Sequence, residues 1–267
     1  MMDGSMTQSV SAADAKLKAA SKKVVILGAL SAIAIATARI YAAEGANLVL
    51  AGRNADRLKG LADDLRARGA SQVETAALDL EAASAEAPMH LADWSKALGG
   101  IDHVLVIYGY LGSQEKASND LNELARIVSS NFSSAVMWCE AAGQILRAQG
   151  HGSVVAVSSV AGDRGRQSNY AYGAAKGGLA LFMQGLAHSL AKSGARAVAV
   201  KPGFVDTPMT DGMAKGGALW AKPEETGAAI RKAADRGGPI QYAPGIWRII
   251  MLIIRTVPAF VFHKTKL

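Results

Sequence analysis

Short runs rich in β-branched residues alternate with alanine-rich stretches of helical period along nearly the whole chain. The runs are Val24 to Leu27, Leu48 to Ala51, Val73 to Ala76, Val104 to Ile107, Val154 to Val157 and Ala197 to Val200, with a seventh candidate at Ile240 to Tyr242. Between them lie helical stretches such as Ser31 to Ala43, Ala55 to Arg68, Leu121 to Ala148 and Ala171 to Lys192. Unbroken apolar runs are what strands covered on both faces require, and parallel neighbours need crossover helices between them. The pattern predicts an α/β fold, one parallel sheet wound with helices on both faces. Ligands of such sheets collect beyond the carboxyl ends of the strands, so the residues that follow each run are the candidates for function.

Half of the 267 residues are apolar, enough for one large core over 23–267. The first 22 residues, rich in Ser, Ala and Lys, are expected to be a disordered extension. Cys139 is the lone cysteine, and His90, His103, His151, His188 and His263 stand apart from one another. No metal site is therefore expected, and a reducing, cytoplasmic compartment fits. The formal net charge of +7 comes from scattered residues without aromatic interleaving, so no nucleic-acid partner is expected. No apolar run is long enough to span a bilayer.

After the first run, LGALSAIAIA (Leu27 to Ala36) occupies the place of a dinucleotide-binding loop but has one glycine. Gly28 stands at the tight turn, and the spacing puts Ala32 and Ala34 where two further glycines are usual. Those positions open a helix, where alanine is allowed and gains up to about 1 kcal/mol of helix propensity. On this stretch alone, a strand-turn-helix unit that binds nothing remains open. After the second run, Arg53 replaces the acidic residue that holds an NAD ribose. A guanidinium there suits a 2′-phosphate, with Arg57 one turn on, although an arginine capping a surface turn is also compatible. Asp79 after the third run either accepts from an adenine amino group or caps a turn.

The segment SSVAGDRGRQSNYAYGAAK (Ser158 to Lys176) places Tyr172 and Lys176 four apart on one helical face, with Ser159 thirteen residues before the tyrosine. With Asn131 in SSNFSSA, Gly28 and KPGFVDT (Lys201 to Thr207), the chain from Val24 to about Tyr242 resembles the short-chain dehydrogenase/reductase family. The resemblance implies a Rossmann-type fold, a nicotinamide cofactor and a homodimer or homotetramer. It implies that Tyr172 passes a proton to or from a substrate oxygen that Ser159 holds, that Lys176 binds the nicotinamide ribose and favours the Tyr172 phenolate, and that Asn131 holds a water. Thr207 would bind the carboxamide. The implied cofactor set also includes Ser31, Ala32, Ile33, Arg53, Asp79, Leu80, Gly109, Pro202, Gly203 and Val205, and Arg53 makes NADP(H) the expected form. Tyr170, with Ala174 four residues on, lacks a lysine and is expected as a pocket wall. Where the family has N-N-A-G, this chain has Val106-Ile107-Tyr108-Gly109, so Tyr108 and backbone groups must shape the adenosine side.

Residues 208–222, with Met209, Met213, Leu219 and Trp220, are expected to form a substrate lid that is apolar inside. The tail Pro244 to Lys264 places Arg248 and Arg255 on one helical face and spreads Trp247, Ile250, Leu252 and Ile254 over the rest. It reads either as an interfacial helix at a membrane's inner face or as part of the core. The altered loop, GYLGSQ (Gly109 to Gln114), AGDRGRQSNYAYG (Ala161 to Gly173) and the W-R-x-x-M-L-x-x-R-x-x-P tail resemble the decaprenylphosphoryl keto-pentose reductase branch of the family. That likeness implies a carbonyl on a lipophilic or lipid-linked substrate. Arg164 and Arg166, between Ser159 and Tyr172, are placed to meet an anionic group or are solvated loop arginines. The competing expectation is a non-catalytic subunit that binds nucleotide or docks on a partner.

Overall fold

The computed structural model describes residues 21–212, 216–217 and 219–265. The expected extension over 1–22, apart from Ser21 and Lys22, and Met213 of the expected lid lie outside the described residues.

Each apolar run forms a strand: β1 (Lys23–Leu27), β2 (Asn47–Gly52), β3 (Gln72–Ala77), β4 (His103–Val106), β5 (Ser153–Val157), β6 (Arg196–Pro202) and β7 (Ile240–Ala243). All pair in parallel, in the order β3-β2-β1-β4-β5-β6-β7. The helices that position the site are α1 (Ala32–Ala43), α2 (Ala55–Ala67), α3 (Ala87–Leu98), α4 (Leu121–Val128), α5 (Ser134–Gln149), α6 (Tyr170–Leu190), α7 (Pro223–Arg236) and α8 (Trp247–Thr256). Side chains alternate across the strands. Val25, Leu27, Val104 and Ala156 face the layer of α3, α5 and α6, while Val24, Ile26, Leu105 and Val155 face α1, α2 and α7. The sheet is thus buried on both sides, as an α/β fold of Rossmann type requires.

Alanine and glycine set the spacing of the outer layers. A Cβ on Gly227 of α7 would stand 3.0 Å from the Thr37 nitrogen of α1, so these two helices meet backbone to backbone. The stretch expected as one helix from Leu121 to Ala148 is two helices joined by a π-turn at Ser129–Ser133, where one extra residue per turn carries Asn131 inward. Phe204–Val205 and Trp220–Ala221 pair in a small second sheet, with the Phe204 and Trp220 rings stacked 5.4 Å apart.

The tail departs from a single helix over 244–264. It is α8 followed by Pro258, which cannot continue the ladder, and a short turn at Ala259–Phe262. One side of α8 is core: Trp247 and Met251 are buried with Val160, and Tyr242, Ile250 and Ile254 pack around them. No helix among the described residues is long and apolar enough to cross a membrane.

Candidate active site

The strand order reverses between β1 and β4, and the crevice beyond their carboxyl ends is the place where such folds bind ligands. Gly28 follows β1 with φ +81°, a conformation that favours glycine. A Cβ there would lie 2.6 Å from the Tyr108 Cβ and 2.9 Å from the Ile107 oxygen, so the chain after β4 crosses directly over the turn. Ser31 caps α1, its Oγ accepting from the Ala34 amide at 3.2 Å and donating to the Ile107 carbonyl at 3.0 Å. Ala34 is fully buried, which explains a methyl in place of the usual hydrogen. The amides of Ala32 and Ile33 open the helix, where they have no intrahelical acceptor. Such an end, beside a glycine turn, fits a pyrophosphate.

Arg53 is exposed directly after β2, and Arg57 is exposed in the first turn of α2. Asp79 Oδ1 accepts from the amides of Glu81 (2.9 Å) and Ala82 (3.4 Å), so this carboxylate caps a turn. Leu80 is buried, and its carbonyl accepts from Trp138 Nε1 at 2.7 Å. In place of the family's asparagines, the Tyr108 hydroxyl pairs with Ser134 Oγ at 3.0 Å and ties the end of β4 to the start of α5.

Asn131 is fully buried in the π-turn. Its Nδ2 donates to the carbonyls of Tyr110 (2.5 Å) and Ile127 (2.9 Å), and its Oδ1 accepts from the Tyr110 amide (3.1 Å). A Cβ on Gly109 would lie 2.6 Å from Asn131 Oδ1 and 3.1 Å from Lys176 Nζ, so all three meet at one point. Lys176 Nζ donates to the Val157 carbonyl at 3.0 Å and lies 5.9 Å from the centre of the Tyr172 ring. Ser159 follows β5 in extended backbone, and its Oγ accepts from the Ala161 amide at 3.1 Å, leaving its own proton free to point elsewhere.

Three glycines that the sequence reading passed over bring Ser159 towards α6. A Cβ on Gly173 would lie 2.7 Å from the Ala161 oxygen, and Gly162 and Gly177 would each collide with the other's backbone at 2.5 to 2.7 Å. The turn after Ser159 therefore rests on the helix that carries Tyr172 and Lys176.

Burial pushes the Tyr172 phenol up to about 12, partly offset by a hydrogen bond with Ser159, and pushes the Lys176 ammonium down to about 8. In the protein alone the phenol is protonated near neutrality, because desolvation outweighs the Ser159 hydrogen bond.

Tyr172 lines a cavity of about 260 Å³ with Leu111, Gln114, Ile127, Ser168 and Asn169. Glu123, buried below it, accepts from the Tyr110 hydroxyl (2.9 Å) and the Ser113 amide (3.1 Å), which fixes the loop that carries Leu111. Tyr170 is not a wall of this cavity: it is 49% exposed, with its hydroxyl 3.2 Å from Ser118 Oγ. Of the expected lid, Trp220 packs on Phe204, but Met209 and Leu219 face solvent.

Pro202 ends β6, and the Gly203 amide donates to the Ala243 carbonyl at 3.1 Å. Val205 is buried, and the Thr207 amide donates to Thr210 Oγ1 at 3.2 Å. Arg164 and Arg166 do not line the cavity. Arg164 Nη1 donates to the carbonyls of Ile254, Arg255 and Val257 at 2.7 to 3.1 Å, and Arg166 lies 3.7 Å from Met251 Sδ. Arg166 Nε, Asn169 Oδ1 and Trp247 Nε1 are buried without a hydrogen-bond partner among the described residues.

A family model described as short chain dehydrogenase matches residues 22–216, which include every one of these groups before the lid. The chain belongs to the short-chain dehydrogenase/reductase family. An uncharacterised oxidoreductase of Mycobacterium tuberculosis is 38% identical to this family member over 241 residues, covering 90% of this chain and 96% of its own. An uncharacterised oxidoreductase of Streptomyces coelicolor is 36% identical over 247 residues, covering 91% and 95%. A solved short chain dehydrogenase/reductase family protein superposes with a TM-score of 0.71 at 26% identity, covering 84% of this chain and 96% of that one. The protein is a short-chain oxidoreductase with the nicotinamide cofactor that family implies.

Proposed function

We propose that the protein is a cytoplasmic NADPH-dependent reductase of a ketone or aldehyde on a lipophilic or lipid-linked substrate, such as a keto-sugar phospholipid. The observation that carries the reading is the meeting of Ser159, Tyr172 and Lys176 beside a cavity that Tyr172 lines. Gly28, Ser31, Ala32 and Ile33, with Lys176 and Thr207 at the nicotinamide end, would hold the cofactor, which would supply hydride to the carbonyl carbon. Tyr172, whose phenol burial pushes up to about 12, gives its proton to the carbonyl oxygen. Ser159, whose Oγ is fixed by the Ala161 amide, donates its own hydrogen to the same oxygen and stabilises the charge that develops there. Asn131 holds the Tyr110 backbone, and the Gly109 that precedes it meets the Lys176 ammonium.

The unpartnered Asn169 Oδ1 on the cavity wall supports a substrate that carries polar groups, since a buried amide oxygen without a donor costs about 1–3 kcal/mol. The likeness of the tail and of Gly109 to Gln114 to the decaprenylphosphoryl keto-pentose reductases supports the lipid. The reading includes a homodimer or homotetramer through α5 and α6, whose outer faces expose Met137 and Leu181.

The test begins with the cofactor. NADPH should stabilise the protein against thermal unfolding at lower concentration than NADH, and Arg53→Ala should remove a preference of about tenfold to a hundredfold. Equal affinities in the wild type contradict the NADPH assignment. NADPH binding without oxidation of NADPH by any member of a ketone and aldehyde panel points to the non-catalytic subunit instead.

A further inference from the structure

The side of α8 that faces away from the core is apolar and uncovered. Ile246 is 48% exposed, Ile249 58%, Leu252 62% and Ile253 60%, and beyond Pro258 Phe260 is 72% exposed. At about 100° per residue these four helical positions occupy one arc, opposite the arc of Trp247, Met251 and Ile254 that packs inward. Single exposed apolar residues are ordinary on a protein surface; a continuous row of them is not.

The surroundings say what fits this face. Arg248 and Arg255 stand at one edge of the arc and line, with Leu252, an open groove of about 510 Å³ whose floor holds the Asp163 and Lys201 ion pair. From 237 to the end of the sequence there is no Asp or Glu, while Arg248, Arg255, Lys264 and Lys266 are basic. Two copies packed symmetrically through this face would bring arginines towards arginines with no carboxylate from this stretch between them. A bilayer bearing anionic headgroups satisfies both halves of the surface, with acyl chains against the isoleucines and phosphates at the arginines.

We propose that α8 and the Ala259–Phe262 turn dock the protein on an anionic membrane surface. The helix needs no folding on contact, because its inner face is already core and its last carbonyls are held by Arg164. Docking therefore avoids the ordering cost that an unstructured anchor meets. The face stands independently of which carbonyl is reduced, so its test requires no turnover.

The experiment is flotation of the full-length protein with vesicles of phosphatidylcholine, alone or mixed with phosphatidylglycerol, at low and at high salt. The wild type should float with the mixed vesicles at low salt and be released by high salt. Arg248→Ala with Arg255→Ala should weaken binding roughly thirtyfold, from about 1 kcal/mol per basic residue. Ile249→Ser with Ile253→Ser should weaken it at least as much, and Phe260→Ser serves as an independent variant on the turn. All should unfold at the wild-type temperature, since the substituted side chains are exposed. No flotation of the wild type at low salt, or equal flotation with neutral vesicles, overturns the proposal. So does an oligomer in solution that Ile249→Ser with Ile253→Ser dissociates, because the face would then belong to a second copy.

Discussion

Gly203 and Trp247 occupy one another's space: a Cβ at position 203 would stand 1.9 Å from Trp247 Nε1 and 2.1 Å from Cε2. Gly203 is thus required by the tail. Gly203→Ala should destabilise the protein by about 1–3 kcal/mol, the usual cost of overpacking a core. Trp247→Phe removes the atoms in the way and abandons no hydrogen bond, since Nε1 has no partner among the described residues. In a double-mutant cycle by chemical denaturation, Trp247→Phe should recover most of the Gly203→Ala loss; simple additivity would show that the two residues do not meet.

Lys176 should leave a signature in the pH dependence of stability. Its ammonium is held down at about 8 from the ordinary 10.5, so between those values the unfolded chain binds the proton that the folded chain lacks. Stability contributed at this site is therefore lowest below pH 8 and rises with pH through the window. Unfolding free energies of wild type minus Lys176→Met should climb by up to about 3 kcal/mol from pH 8 to about 10.5. A flat difference would mean that the ammonium is not desolvated.

The sheet was legible because both of its faces are covered, so that each strand is an apolar run with little else to be. Tyr172, Lys176 and Ser159 were legible because helical spacing and a strand end fix their relation in the chain itself. Arg164 was not: it reaches residues 90 to 93 positions away, and nothing local distinguishes it from a solvated loop arginine. The burial that pushes the Tyr172 phenol up was hidden for a similar reason. A neighbouring lysine can be read from spacing, whereas desolvation depends on what the fold packs around the group. Gly162, Gly173 and Gly177 were overlooked among 28 glycines, since only the fold shows which ones another backbone touches.

Arg164 is expected to act on the tail. Its guanidinium supplies hydrogen bonds to the otherwise unpaired carbonyls at the end of α8 and lies 4.1 Å from the centre of the Phe262 ring. Arg164→Ala should cost about 1–3 kcal/mol and speed hydrogen exchange in α8 and the Ala259–Phe262 turn selectively. Arg164→Lys should recover part of the loss through the favourable charge at a helix carboxyl end. Unchanged exchange in the tail of Arg164→Ala would contradict this role.

If Tyr172 is the proton donor of a carbonyl reductase, single-turnover oxidation of bound NADPH depends on its hydroxyl. With a ketone or aldehyde that the wild type reduces, Tyr172→Phe should slow the decay of nicotinamide absorbance by about a hundredfold to ten-thousandfold, while NADPH affinity stays within about twofold. The phenyl ring keeps the packing and loses only the hydroxyl beside Ser159. A Tyr172→Phe protein that oxidises NADPH at the wild-type rate with that substrate would contradict the account.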